Sequence, residues 1–148
     1  MGSKNVRSKQ GVTLVGGGVP SAQNITEALS FAPTLVAADG GANYCAQMGL
    51  EPTAIIGDFD SLDGDVRAGF SNSTFIEVLG RAEQDTTDFQ KCLARLSAPF
   101  VLAVGFSDAR LDHTLANFAA LAQRQGPATI LIGTHDVVFA APTEVSLD

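Results

Sequence analysis

Four aspartates fall within eight residues, at Asp58, Asp60, Asp63 and Asp65. The first two flank Phe59 in the segment 57–61 (GDFDS), directly after the apolar run 54–56. In an extended segment alternate side chains share a side, so both carboxylates face one point while Phe59 packs the other way. Two hard oxygen ligands, with positions left open for water and phosphate oxygens, suit Mg²⁺. A like-charged pair at a strand end is also costly without a cation. An EF-hand is excluded, because the twelfth position counted from Asp58 is Gly69 and not Glu. The plain alternative is a solvated turn rich in aspartate, which describes Asp63-Gly64-Asp65 well.

Other groups capable of chemistry stand at similar places. Asp39-Gly40-Gly41-Ala42-Asn43 puts a carboxylate, two glycines and an amide after the run 34–38. Gly16-Gly17-Gly18 follows the run 12–15. It is not a dinucleotide fingerprint, which would need Gly at Ser21, nor a P-loop, since no Gly-Lys-Ser/Thr follows. It either lets the backbone approach a phosphate or adenine, or it makes a tight turn. The segment 83–89 (EQDTTDF) opens a helix with the apolar stripe Phe89, Leu93 and Leu96. There Asp85 reads as the N-cap and Asp88 as N3, so Asp88 is either a cap or a third metal carboxylate. After Ser107-Asp108-Ala109 comes a helix with the expected core stripe Leu111, Leu115, Phe118 and Ala122. Arg110, His113, Thr114 and Asn117 fall on another face. Arg110 at a helix start opposes the dipole, and beside free backbone N–H groups it makes an anion site.

Nearly every one of these motifs follows a strand. Short apolar runs at 12–15, 34–38, 54–56, 74–78, 100–104 and 128–132 alternate with helical stretches at about 21–31, 41–48, 65–70, 86–96 and 110–125. That alternation predicts a three-layer αβα fold with a mostly parallel, Rossmann-like sheet covered on both faces. Ligands in such folds gather beyond the carboxyl ends of the strands. Residues 1–10 read as a flexible leader and 11–134 as one α/β domain. Runs at 137–140 and 144–147 read as two short strands that open a β-rich C-terminal domain, largely missing after residue 148.

Composition narrows the function classes. Nine basic residues against sixteen acidic give a net charge of −7, which repels a phosphate backbone and argues against nucleic-acid binding. With 45% hydrophobic residues the chain can bury a core. No apolar run approaches the ~18 residues of a membrane span, and no membrane partner is expected. Cys45 and Cys92 lie far apart without metal-ligand spacing, which points to reduced thiols and a cytoplasmic setting.

Taken in order, ADGGAN (38–43), EPTAIIGDFDSL (51–62), EQDTTDFQK (83–91) and, beyond Gly105, ARLDHTLANF (109–118) resemble the thiamin pyrophosphokinase family over about residues 12–140. The resemblance implies a nucleotide-binding α/β domain followed by a β-sandwich domain. It implies a homodimer with thiamin at the interface, and Mg²⁺-dependent transfer of the diphosphate of ATP to thiamin, with release of AMP. Asp58, Asp60 and Asp88 match the metal carboxylates, and Asp39 the acidic residue of the DGG turn. Arg110 and Asp112 match the polar pair near the phosphates, with Asp39 and Asp112 as candidate bases. Gln84 matches a contact to the thiamin pyrimidine. Gly17, Gly18, Gly40, Gly41, Asn43, Ser61, Thr87, His113 and Asn117 complete the expected binding set. Asp108 and Ala109 depart from the family's usual Gly-Gly, where a carboxylate and a Cβ would crowd or repel a triphosphate. Two other readings stay open at this point: an aspartyl-nucleophile phosphatase built on Asp58, and a nucleotide- or thiamin-binding module without turnover.

Overall fold

A computed structural model describes residues 5–79 and 86–146. In chain order its elements are β1 (Val6–Arg7), β2 (Val12–Val15), α1 (Ala22–Phe31), β3 (Thr34–Ala38), α2 (Gly41–Gln47), β4 (Ala54–Gly57) and α3 (Gly64–Gly69). There follow β5 (Thr74–Glu77), α4 (Asp88–Leu93), β6 (Leu96–Ser97), β7 (Val101–Val104), α5 (Leu111–Ala122), β8 (Thr129–Ile132) and β9 (Val137–Phe139). Among the described residues, seven strands form one sheet in the order β5-β4-β3-β2-β7-β8-β9. All its pairs are parallel except β8–β9.

The strand interiors are buried on both faces, as a covered parallel sheet requires. Alternate residues feed two cores. Leu14, Ile56 and Ala103 pack with Phe89 and Leu93 of α4 and Ala120 and Leu121 of α5. Val15, Ile55 and Val104 pack with Ile25 and Ala28 of α1 and Ala42 and Cys45 of α2. The helices therefore lie on opposite sides of the sheet. Phe89 is fully buried, its ring centroid 5.3 Å from that of Phe106, and burial of this kind contributes about 2–3 kcal/mol. It anchors α4, which is only six residues long.

Four expectations need correction. The leader is in part structural: β1 pairs in parallel with β6, and the Ser8 and Thr34 hydroxyls lie 2.8 Å apart in a hydrogen bond. Within the run at 137–140, β9 is the antiparallel edge strand of the main sheet, so Val137–Phe139 belong to the α/β domain. Residues 144–146 form no strand, and Leu147 lies outside the described residues. The stripe on α5 is also rotated. Leu111 and Leu115 are 73% and 57% exposed, while the helix buries Asn117, Ala120 and Leu121. Small Ala120 lets the helix approach the sheet, and the Asn117 amide is tolerated inside because its polar atoms find partners.

The chain runs outward from β2 to β5, then returns to the other side of β2 for β7 to β9. The crevice above β2 and β7 is thus the topological switch point, the place where such sheets bind ligands. The strand ends meet too closely there for side chains. A Cβ on Gly16 or Gly18 would sit 2.6 Å from the Gly105 carbonyl oxygen, and Gly105 itself has φ +89°.

Candidate active site

A cavity of about 430 Å³ opens over this switch point. Gly17 and Gly18 bring the loop after β2 to its wall. Gly40 and Asn43 enter from the start of α2, and Ser61 from the loop after β4. Thr87 and Asp88 enter from the start of α4, while Arg110 and His113 enter from the start of α5 and Asn117 from its middle. Ten of the expected site residues therefore share one cavity. Gly41, Asp39, Asp58, Asp60 and Asp112 stand outside its wall, and Gln84 lies outside the described residues. Sequence reasoning missed Tyr44, the chain's one tyrosine, and Phe106, although both sit within two turns of a glycine motif at a strand end.

Asp39 is the most unusual group. It has φ +43°, a strained conformation for a residue with a side chain. Its backbone N–H donates to the Ile56 carbonyl at 2.9 Å, which draws the turn after β3 against β4. The residue is 4% exposed and its Oδ1 has no hydrogen-bond partner. Burial pushes its carboxyl up from 3.8 to about 6, helped by the charges of Asp88 and Asp58 and opposed by the Ser61 backbone. Asp39 thus feels the charge of Asp58 from the loop after β4 and of Asp88 from the start of α4.

The GDFDS segment is not extended. Phe59 has φ +67°, and it packs edge-on to Phe75 at 5.8 Å between centroids. The left-handed turn spoils the expected alternation. Asp58 Oδ1 instead accepts the Asp60 N–H at 3.1 Å, and Asp60 is exposed. Among the described residues no three His, Cys, Asp or Glu side chains are grouped closely enough to hold a metal ion.

The cap of α4 also differs from expectation. Thr87 is the N-cap, Gln90 is N3, and the two form a capping box, so Asp88 stands at the first helical position. A carboxylate there faces the positive end of the helix, and Lys91 Nζ lies 3.7 Å from its Oδ1. Asn43 is spent on structure: its amide donates to the Ser61 carbonyl at 2.8 Å and accepts the Asp63 N–H at 3.0 Å. Asn117 is equally engaged, donating to the Phe106 carbonyl at 2.9 Å.

Arg110 precedes α5 and pairs with Asp112. Asp108 turns away from the cavity. Its Oδ2 accepts the Thr134 N–H at 3.0 Å and the Thr134 hydroxyl at 3.1 Å, while Ala109 contributes to the cavity wall. The carboxylate is thereby committed to the β8–β9 turn, and only the Ala109 methyl narrows the site. Cys45 and Cys92 are buried free thiols, and burial raises both, Cys45 to about 12. No helix among the described residues is long and apolar enough to cross a membrane.

Comparison with known proteins places the chain in a family. The sequence profile of the thiamin pyrophosphokinase catalytic domain matches residues 25–132. Thiamine pyrophosphokinase 1 of Oryza sativa subsp. japonica is 28% identical over 76% of this chain and 54% of its own length. Thiamin pyrophosphokinase from Candida albicans shares the fold, with a TM-score of 0.69 at 17% identity over 94% of this chain and 64% of that one. A thiamin pyrophosphokinase family protein from Enterococcus faecalis aligns with a TM-score of 0.54 at 26% identity, covering 84% and 61%. The chain spans about half the length of the curated relatives it matches. On the match to residues 25–132, the chain belongs to the thiamin pyrophosphokinase catalytic-domain family.

Proposed function

We propose that this chain carries the diphosphoryl-transfer chemistry of its family: ATP and thiamin give thiamin diphosphate and AMP, with Mg²⁺. The observation that carries the reading is Asp39 Oδ1, buried and unpartnered within the electrostatic reach of Asp58 and Asp88, beside a cavity whose wall includes Asp88. A buried carboxylate beside two others calls for a cation, and an all-carboxylate donor set suits a hard divalent ion. In donor chemistry the residues suit Mg²⁺. Asp58, Asp60 and Asp88 would have to close around it, with Asp39 beside them, since among the described residues no three such side chains are grouped closely enough to hold an ion. When bound, the ion supplies neutralisation of phosphate charge.

The chain's own residues supply the rest. Backbone around Gly17, Gly18 and Gly40 is bare enough to take phosphate oxygens. Arg110, Ser61 and His113, which also line the cavity, add donors. In the reaction the thiamin hydroxyl oxygen bonds to the β-phosphorus, the bond between the β-phosphorus and the bridging oxygen to the α-phosphate breaks, and AMP leaves with that oxygen. The hydroxyl proton needs an acceptor. Asp112 is tied to Arg110, so Asp39 is the better placed of the two candidate bases. Positioning and electrostatics do most of the work in such transfers. We extend the reading to a homodimer that binds thiamin between subunits, with Gln84 on the pyrimidine, and to a cytoplasmic setting suited to two reduced thiols. The acidic surface favours a cationic acceptor.

The test is AMP formation from ATP, thiamin and Mg²⁺, with Asp58→Asn as the comparison. The expected result is turnover in the parent and a loss of at least ~100-fold in the variant. Undiminished AMP release by Asp58→Asn would remove the carboxylate site. ATP binding without AMP in the parent would favour a binding module instead.

A further inference from the structure

The strongest unexplained feature near the cavity is a buried polar strut between two helices. Asn117, 2% exposed in the middle of α5, is the one residue of that helix whose polar side chain faces the core. Its Nδ2 donates to the Phe106 carbonyl at 2.9 Å, fixing it to the loop after β7. Its Oδ1 accepts the Thr87 hydroxyl at 2.7 Å, across thirty positions of sequence. The same hydroxyl accepts the Gln90 N–H at 3.2 Å, and the Thr87 N–H donates to Gln90 Oε1 at 2.9 Å. Thr87 Oγ1 thus caps α4 with its lone pair and ties α4 to α5 with its proton.

We infer that Asn117 and Thr87 are positioning residues, which fix where the Asp88 carboxylate stands at the cavity wall by clamping the first turn of α4 to α5. The inference rests on the functional reading above. Three facts carry it. Helix α4 has only six residues, too few to hold its own direction without tertiary ties. Phe89 fixes how deep the helix sits, but an apolar contact leaves rotation about it open, whereas a directional buried hydrogen bond does not. Asp88 is the residue immediately after the clamped cap, so any rocking of the first turn moves its carboxylate directly. Outer partners that orient ligating groups typically change metal affinity 10–100-fold when removed.

The experiment measures binding of Mn²⁺ alone to the intact chain by electron paramagnetic resonance, with folding checked by circular dichroism. Asn117→Ala keeps the capping box and removes the strut. Thr87→Val removes the hydroxyl, and Thr87→Ser keeps it. The expected result is ~10-fold weaker Mn²⁺ binding for Asn117→Ala and for Thr87→Val. The double variant should be no worse than either single one, and Thr87→Ser should lie within about twofold of the parent. A merely structural role would lower the melting temperature and leave the affinity of folded protein unchanged. Folded Asn117→Ala with parental Mn²⁺ affinity overturns the inference. If Asn117→Ala does not fold, parental affinity in Thr87→Val overturns it equally. Asp58→Asn serves as the control. A parent that binds Mn²⁺ while Asp58→Asn does not upholds the functional reading whatever the strut variants do. A parent that binds none sinks both.

Discussion

Arg110 grips Asp112 at two points, Nε to Oδ1 at 3.1 Å and Nη2 to Oδ2 at 2.6 Å, on the exposed first turn of α5. The hydrogen bonds from the guanidinium lower the Asp112 carboxyl below its ordinary value. A carboxylate so held is a poor proton acceptor near neutral pH. It also shares the charge that Arg110 brings to the cavity. Asp112→Asn should therefore lower kcat by less than about fivefold and leave the KM for ATP unchanged or reduced. Arg110→Ala should raise that KM at least ~10-fold. Arg110→Lys should not restore it, because a point charge cannot reproduce the planar fork. Steady-state AMP release at several ATP concentrations separates these outcomes. A loss of kcat beyond ~100-fold in Asp112→Asn would instead give that carboxylate the proton.

Asp39 gives a prediction whose sign depends on pH. Its native carboxyl titrates near 6 against an ordinary 3.8, because it is buried and faces Asp88 and Asp58. The native state therefore holds the proton more tightly than the unfolded chain does. Stability contributed by that proton is fully present below about pH 4 and is lost as pH rises through about 6. Ionised, the group costs up to ~3 kcal/mol. Asp39→Asn, measured by urea unfolding in EDTA, should be more stable than the parent at pH 7.5 by about 1–3 kcal/mol. The gain should shrink toward zero near pH 4, and the variant should lose AMP formation. A variant less stable than the parent at pH 7.5 would show that the carboxylate is satisfied by some partner and is not waiting for a cation.

The strands were legible because apolar runs of four or five residues have few other uses, and Val12–Val15, Thr34–Ala38 and Thr129–Ile132 lie where periodicity puts them. The glycine motifs were legible as strand-end features, and the fold places them at the switch point. What failed was orientation. Leu111 and Leu115 outrank Asn117 on any hydrophobic scale, yet Asn117 is the buried one, because its partners Phe106 and Thr87 come from distant parts of the chain. Likewise nothing local announces that Phe59 turns left-handed to reach Phe75, and that turn separates the roles of Asp58 and Asp60. The cap of α4 moved for a simpler reason: Thr87 with Gln90 offers a complete capping box three residues apart. Asp108 looked like an intruder in an anion site, and its partner Thr134 could not be read from sequence.

Two glycines at this rim should respond to alanine in opposite ways. A Cβ on Gly41 would sit 2.1 Å from the Val15 carbonyl oxygen, and backbone inside a sheet cannot step aside. Gly41→Ala should lose about 1–3 kcal/mol in urea unfolding, through forced separation of α2 from β2. A Cβ on Gly17 meets nothing nearer than the Gly40 carbonyl carbon at 3.6 Å, an ordinary contact. Gly17→Ala should keep its stability to within ~0.5 kcal/mol. Yet Gly17 lines the cavity, so the added methyl occupies the space where a phosphate oxygen would approach the backbone. Its KM for ATP should rise ~10-fold with the melting temperature unchanged. Parental KM in a stable Gly17→Ala would mean that the triphosphate does not pass over the loop after β2, and that the glycines there serve only the close meeting of β2 with β7.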